Sequence, residues 1–248
     1  MKIRPFEDRD YAAYVTIGNR SYPEYGWSEE QARHEDSTWT DPAQFKGRWM
    51  LEAREGDVVA ALDVQHQRGW FEPTRYRCEI VVDPGHRRRG YGSALLDRAI
   101  RVVTDRDGRL LIAGAKESMR ESVDFLMKRG FVERQRAWES RLHVDAFDFE
   151  RFADAEPRVA RIGVRLVTLA EEMARDAEGS LRKAFEIREV CRRDIPSVDR
   201  PTAGSFDRFR REVEGPQLLR DGFFLATLDG DYVGVSDLYR DSDNPEGL

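Results

Sequence analysis

The sequence contains only two cysteines, Cys78 and Cys191, among 248 residues. So few cysteines, so far apart, do not support a disulfide framework or a structural zinc site, and we expect both thiols to be reduced. Long apolar runs are also absent: no stretch approaches the roughly 20 residues that a membrane-spanning helix needs, and the N-terminus lacks the apolar core of a signal peptide. The default expectation is therefore a cytoplasmic protein with no membrane partner and no metal.

An excess of positive charge is also absent. The 41 basic residues are outnumbered by 47 acidic ones, which gives a net charge of −6 at pH 7. A protein that binds nucleic acid in general needs a basic face, so this balance argues against such a partner. Hydrophobic residues make up 40% of the chain and charged residues 35%, which is typical of a globular protein with a heavily solvated surface. The length allows one large or two small domains.

One stretch, Val81 to Leu96, concentrates arginine and glycine between two regular patterns. The extended run Arg75 to Val82 leads into it. A helical pattern opens at Gly90, and the free N–H groups of the loop and first turn, with the positive end of the helix dipole, make an anion site. Because Gly90 and Gly92 let a ligand approach the backbone, we expect a phosphate or pyrophosphate there. The helix has one apolar face, spaced i, i+3 and i+4, formed by Tyr91, Ala94, Leu95, Ala99, Val102 and Val103.

The residues from Arg87 to Gly92 read Arg-x-x-Gly-x-Gly, after a Val-x-Pro lead and before Ser-Ala-Leu-Leu. In this context they resemble the acyl-CoA pyrophosphate loop of the GNAT superfamily of N-acetyltransferases. A dinucleotide-binding fold is a poor rival, because the first glycine of Gly-x-Gly-x-x-Gly is missing. The resemblance implies acetyl-CoA as cosubstrate, held by Ile80, Val81, Val82, Arg87, Arg88, Arg89, Gly90, Tyr91, Gly92 and Ser93.

The order of predicted elements, β-α-α-β-β-β-α-β-α-β-β, resembles that of the GNAT fold over residues 1–143. That fold is α/β (α+β), with a mixed central sheet flanked by helices. Ser28 and Ser118 each stand where a helix cap is expected. Two last strands are predicted at Phe131 to Glu133 and Ala137 to Leu142.

A second stretch, Phe125-Leu126-x-x-x-Gly130-Phe131, resembles another sequence signature of the GNAT superfamily. Many members carry a tyrosine at the position of Leu126, thought to protonate the departing CoA thiolate. Leucine cannot donate a proton. Either another group does so or the thiolate leaves unassisted.

The second half of the chain repeats the front of the first. With an offset of 174, six residues of one segment fall on matching residues of the other without a gap. We expect a connector at 144–160 and a partial second GNAT-like domain at 161–248. The counterpart of Arg87 would be residue 261, since 87 plus 174 is 261, so this repeat is expected to lack a phosphate loop. The pairs are Trp49 with Phe223, Leu51 with Leu225, Gly56 with Gly230, Asp57 with Asp231, Val59 with Val233 and Asp63 with Asp237.

This arrangement is similar to that of tandem GNAT proteins, with an incomplete second domain. An incomplete domain leaves a strand edge unpaired at Tyr232 to Arg240. We therefore expect self-association as a homodimer, or a swapped arrangement.

The family chemistry implies direct attack of a neutral amine on the thioester, with a backbone N–H near Ile80 or Val81 polarising the carbonyl. Some group must take the proton of the amine, and Glu79, a lone carboxylate in the central strand, is the first candidate. Glu79 could instead be a structural charge paired across the sheet. Tyr76 is the next candidate, as proton donor or relay, although an aromatic residue in a strand is more often part of the core.

Cys78 as an acyl-carrying nucleophile is a weaker candidate, because a buried free cysteine usually behaves as a small hydrophobe. His34 and His66 could each face the acceptor, but such histidines are more often surface or capping groups.

The acceptor is expected to be a small-molecule amine. By resemblance it contacts the segments Tyr22–Trp27, His34–Asp36 and Gly69–Phe71, whose acidic and aromatic residues suit a cation. Two functions stay open at this point. The first is an acetyl-CoA-dependent N-acetyltransferase. The second is a non-catalytic acyl-CoA-binding or assembly module, which Leu126 and the short second repeat favour.

Overall fold

The central strand predicted around residue 80 lies inside a five-stranded sheet. A computed structural model describes residues 1–53, 56–196 and 201–240 of the chain, which divides into two units, Met1–Ala137 and Trp138–Leu248. The sheet of the first unit has the order β1-β2-β3-β4-β5, antiparallel except for the parallel pair β4 and β5. Its strands are β1 Lys2–Pro5, β2 Lys46–Glu52, β3 Val58–Gln65, β4 Arg75–Val82 and β5 Leu110–Ala113.

Helices cover both faces of this sheet. The helices are α1 Tyr11–Ser21, α2 Glu29–Ser37, α3 Tyr91–Thr104 and α4 Arg120–Met127. On one face α3 packs its predicted apolar side, including the fully buried Leu95 and Ala99, against strand residues such as Leu62 and Cys78. The prediction for α3 is therefore confirmed. On the other face α1 and α2 share a smaller apolar cluster around Tyr11, Val15 and Ala32.

Two sequence predictions for this unit are wrong. Ser118 does not cap α4, which begins at Arg120 after Met119 and has no side-chain cap. The segments predicted as the last two strands are irregular and largely exposed. Their charges pair locally instead: the guanidinium of Arg136 donates to both carboxylate oxygens of Glu133, at 2.7 and 3.1 Å, and to Glu117 at 3.2 Å. A contact between residues three apart favours a turn over an extended strand.

The second unit has its own three-stranded antiparallel sheet, ordered β6-β7-β8. A core of buried residues that includes Leu169, Phe209 and Leu225 joins the sheet to its helices. The elements are α5 Ala155–Ala160, β6 Arg165–Thr168, α6 Leu169–Arg175, α7 Ala177–Arg193, α8 Phe206–Glu214, β7 Phe224–Leu228 and β8 Asp231–Ser236. None of the helices in the described ranges of either unit is long and apolar enough to cross a membrane.

The internal repeat corresponds to two similar hairpins. Strands β2 and β3 pair antiparallel, as do β7 and β8. The turn glycines Gly56 and Gly230 have nearly equal positive φ angles, 87° and 89°, which is why glycine recurs at this position. Glu55, which precedes Gly56 between the two strands of the first hairpin, lies outside the described residues. Within the described ranges β8 pairs with a strand on one side only, and self-association through that edge stays a prediction.

Candidate active site

The arginine- and glycine-rich segment forms a loop between β4 and α3 with its backbone N–H groups directed out of the helix start. Two residues have left-handed φ angles, Arg88 at 63° and Gly90 at 86°. The first helical hydrogen bond runs from the Ala94 N–H to the Gly90 carbonyl, at 3.1 Å. The N–H groups of Tyr91, Gly92 and Ser93 precede that bond and have no acceptor within the helix. Free N–H groups at a helix start, together with the helix dipole, suit an anion, and anion binding at this loop stays a prediction.

Asp83, which the sequence analysis did not single out, organises this loop. Its buried carboxylate accepts from the Gly85 N–H at 2.9 Å and from Arg20 on α1 at 3.1 Å, and it faces His86. Burial raises the pKa of Asp83, but the bonds from Arg20, Gly85 and His86 outweigh it and the net shift is downward. The carboxylate therefore fixes the start of the loop while the arginines stay near the surface.

Arg129 is a second residue that sequence analysis missed. From the end of α4 its guanidinium donates to the Ser93 hydroxyl at 2.5 Å, and it lies 3.8 Å from the centre of the Phe125 ring. A Cβ placed on Gly92 would lie 3.5 Å from the same ring. Phe125 thus packs against the first turn of α3 and holds a fourth arginine beside the loop. The only signal in the sequence is the Phe125 to Gly130 signature, which does not include Arg129.

Strands β4 and β5 part at the end nearest this loop. Their ladder runs from Arg75 with Leu110 to Cys78 with Ala113, and β4 then continues to Val82 without β5 beside it. We call this opening the β4–β5 gap. It is long enough to expose four residues of strand edge.

The register decides which backbone groups face the gap. The Asp83 N–H donates to the Val59 carbonyl, which makes Asp83 and Val59 a hydrogen-bonded pair of the antiparallel ladder. Such pairs alternate along the strand, so the N–H of Val81 also faces β3, whereas those of Ile80 and Val82 face the gap. The Val82 carbonyl accepts from Arg87 at 3.3 Å, which links the gap to the phosphate loop.

Glu79 lies on the face of β4 that α1 covers, directly opposite Asp63 of β3. Its side chain is exposed to solvent. Desolvation first, and the negative charge of Asp63 second, raise the pKa of the Glu79 carboxyl, while Arg77 and Arg48 oppose the shift.

A network of polar side chains holds the Asp63 carboxylate in place. The buried Asp63 carboxylate accepts from the Tyr14 hydroxyl at 3.0 Å and from Arg48 at 2.7 Å. Arg48 also donates to Asp36, at 2.8 and 3.2 Å, and Asp36 accepts from Tyr11 at 2.7 Å. Asp36, which the sequence analysis assigned to the acceptor segments, is therefore part of the interior support.

The structure does not bring Tyr76 together with Glu79. Tyr76 lies on the opposite face of β4, is only 3% exposed and packs in the core against the rings of His66 and Phe45. Burial raises its pKa. Cys78 shares that face, and desolvation raises the pKa of its thiol to about 11, so it carries little thiolate at neutral pH.

Of the two histidines, His66 occupies a structural position. His66 is 4% exposed; its Nδ1 accepts from the Phe45 N–H at 2.8 Å, and its Nε2 lies 3.2 Å from the Pro73 carbonyl. His34 lies on α2, where its carbonyl accepts from Ser37. Among the described residues, no group of three histidine, cysteine or acidic side chains could hold a metal ion.

The model of the Acetyltransferase (GNAT) family matches residues 12–131. A search of curated proteins finds no match.

Three solved structures are similar to part of the chain. One, provisionally described as a phosphinothricin N-acetyltransferase, is 25% identical over 52% of this chain and 81% of its own, with a TM-score of 0.46. The aminoglycoside 6'-N-acetyltransferase AAC(6')-IG from Acinetobacter haemolyticus is 18% identical over 58% of this chain and 100% of its own, with a TM-score of 0.44. An acetyltransferase from Trypanosoma brucei is 18% identical over 57% of this chain and 99% of its own, with a TM-score of 0.44. On the family match, residues 12–131 of this chain form an acetyltransferase domain of the GNAT family.

Proposed function

We propose that the first unit is an acetyl-CoA-dependent N-acetyltransferase that acetylates a primary amine by direct attack in a ternary complex. The observation that carries the proposal is that three features meet at one end of β4. The β4–β5 gap opens there, the phosphate loop begins there, and Glu79 lies there on an accessible face. The family match over residues 12–131 supports the same reaction.

The residues at this end fit the nucleotide end of acetyl-CoA. The free N–H groups from Tyr91 to Ser93 and the positive charges of Arg87, Arg88 and Arg89 suit a pyrophosphate. The edge of β4 from Ile80 to Val82 offers amide donors and acceptors to the pantetheine arm. When bound, acetyl-CoA supplies an activated acetyl thioester. Arg129, held beside Ser93, adds a further positive charge to the loop.

Of the two backbone donors that the sequence analysis considered, the register favours Ile80. Its N–H faces the gap, while that of Val81 faces β3. A donor aimed at the carbonyl oxygen stabilises the charge that develops there, and the loss of one such donor costs roughly 3 kcal/mol of transition-state stabilisation.

Glu79 is our candidate base. Desolvation raises the pKa of the Glu79 carboxyl, and a carboxylate with a raised pKa accepts a proton more readily than an ordinary one. The buried network of Tyr14, Asp63 and Arg48 fixes the strand residue opposite Glu79. Tyr76 is not part of this proposal, because it lies in the core on the other face. Leu126 leaves the thiolate without a proton donor at that position.

The test is a thiol-release assay with acetyl-CoA and a panel of primary amines. We expect amine-dependent release of CoA thiol. Glu79→Gln should lower kcat about 100-fold, the loss typical of removing a general base, with little change in the acetyl-CoA Kd. Glu121→Gln, on α4, is a matched control that should keep full activity. Acetyl-CoA binding without thiol release under any amine would favour the binding-module alternative.

A further inference from the structure

The ammonium group of Lys116 lies beside three side chains of the segment that follows α1. It forms an ion pair with the Glu24 carboxylate, lies 4.0 Å from the centre of the Tyr25 ring and lies 5.7 Å from that of the Tyr22 ring. Two aromatic faces and one carboxylate are the groups that recognise an organic cation. We call Tyr22, Glu24 and Tyr25 the ammonium cage.

The cage and its occupant come from opposite sides of the β4–β5 gap. The cage begins directly after Ser21, the last residue of α1, whose hydroxyl donates to the Val82 carbonyl at 3.4 Å. Lys116 stands three residues after Ala113, where β5 ends. The side chain of Lys116 therefore connects the two loops that flank the opening.

The cage favours the charged form of the amine that it holds. Desolvation lowers the pKa of Lys116, but hydrogen bonds to Glu24 and Tyr25 outweigh it and the net shift is upward. An amine must be neutral to attack a thioester. The cage is therefore unsuited to the reacting amine and suited to a second, non-reacting ammonium group on the same molecule.

We propose that the ammonium cage is the subsite for a non-reacting ammonium group of the acceptor, and that Lys116 is a built-in occupant which the acceptor displaces. The acceptor class is then a compound with at least two amino groups, one held in the cage and one presented near Glu79. This choice of substrate class rests on the acetyltransferase function proposed above. The binding of a cation by the cage does not.

Displacement has a measurable consequence. A site filled by its own lysine is competent for only a fraction of the time, and the apparent affinity for an outside cation falls by that fraction. Removing the lysine's charge should therefore strengthen the binding of a simple ammonium ion. Removing one of the side chains that form the cage should abolish the binding of that ion.

The experiment titrates the full chain, with 13C-labelled tyrosine rings, against n-butylammonium chloride and follows the Tyr25 signals by NMR. We expect Lys116→Met to lower the apparent Kd about tenfold or more relative to the unmodified chain. Lys128→Met, at the exposed end of α4, is the matched control and should change nothing. n-Butanol, which has the same shape without the charge, should not bind. Lys116→Gln replaces Lys116→Met if the latter fails to fold, as judged by circular dichroism.

The proposal is overturned if Lys116→Met and the unmodified chain bind n-butylammonium equally, or if neither binds it. It is also overturned if adding Tyr22→Leu, which removes the second aromatic ring of the cage, leaves the affinity of Lys116→Met unchanged. An acetyl-CoA titration of the same preparations separates the two proposals. Cage binding without acetyl-CoA binding would refute the acetyltransferase function alone, and the reverse would refute the cage alone.

Discussion

Glu79 and Asp63 face each other across the β3–β4 ladder, one carboxylate open to solvent and the other buried and bonded to Tyr14 and Arg48. The buried charge holds the pKa of its exposed neighbour above the usual range, after the larger effect of desolvation. The pair combines a fixed negative charge with a group that can exchange protons.

Asp63→Asn should lower the pKa of Glu79, because it removes a neighbouring negative charge and leaves Arg48 in place. The base is active when deprotonated, so the acidic limb of kcat/KM against pH should move to lower pH. The change should also cost about 1–3 kcal/mol of unfolding free energy, because asparagine keeps only one of the two oxygens that accept from Tyr14 and Arg48. Asp97→Asn, on the exposed side of α3, is the control. An acidic limb that stays at the same pH or moves to higher pH would count against the role of Asp63.

Arg129→Met should weaken acetyl-CoA binding about 10-fold or more, because a charge-assisted hydrogen bond contributes about 1.5–3 kcal/mol. Calorimetric titration measures the change. Arg101→Met, on α3 away from the loop, should leave the Kd unaltered. Equal affinities in the two variants would remove Arg129 from the binding site.

Two glycine-to-alanine changes should alter stability in opposite directions. Gly90 has a φ of 86° at the start of α3, where an alanine is strained, so Gly90→Ala should cost roughly 1–2 kcal/mol. Gly18 lies within α1, and a Cβ there meets nothing within 4 Å, so Gly18→Ala should gain about 0.5–1 kcal/mol. Urea unfolding gives both values. Destabilisation by Gly18→Ala, or a neutral Gly90→Ala, would contradict these backbone assignments.

His66 should make the stability of the first unit depend on pH. Desolvation lowers the pKa of His66 in the folded chain, whereas in the unfolded chain the pKa is about 6.5. The unfolded chain therefore binds the proton more tightly, and acid favours unfolding. The contribution of neutral His66 is complete above pH 6.5 and declines as the pH falls through that value. His66→Gln should flatten the slope of unfolding free energy between about pH 7 and 5. An unchanged slope in His66→Gln would assign the dependence to other groups.

Short-range features of the site could be predicted from the sequence. The turn into α3 depends on Gly90 and on one apolar helix face, both of which are local, and both predictions are confirmed. The cap at Ser28 is confirmed for the same reason, since its hydroxyl accepts from the Gln31 N–H three residues on. Ser118 has the same local pattern but no cap, because α4 begins one residue later than that pattern requires.

Long-range features could not be predicted. The gap depends on where the β4–β5 ladder ends, and Arg129 and Lys116 reach partners 36 and 92 residues away. Alternation along β4 separates Tyr76 from Glu79, but only packing decides which of the two faces α3 covers. The loop was therefore visible in the sequence, while the side chains that complete the site were not.

The central claim is that the loop between β4 and α3 binds the nucleotide end of acetyl-CoA. Calorimetric titration of the full chain with acetyl-CoA, beside Arg89→Met and with ATP as a control ligand, tests it most directly. The account predicts one site per chain with a micromolar Kd, about −8 kcal/mol, and clearly weaker binding by Arg89→Met. The absence of binding, or equal affinity in the two proteins, would contradict it.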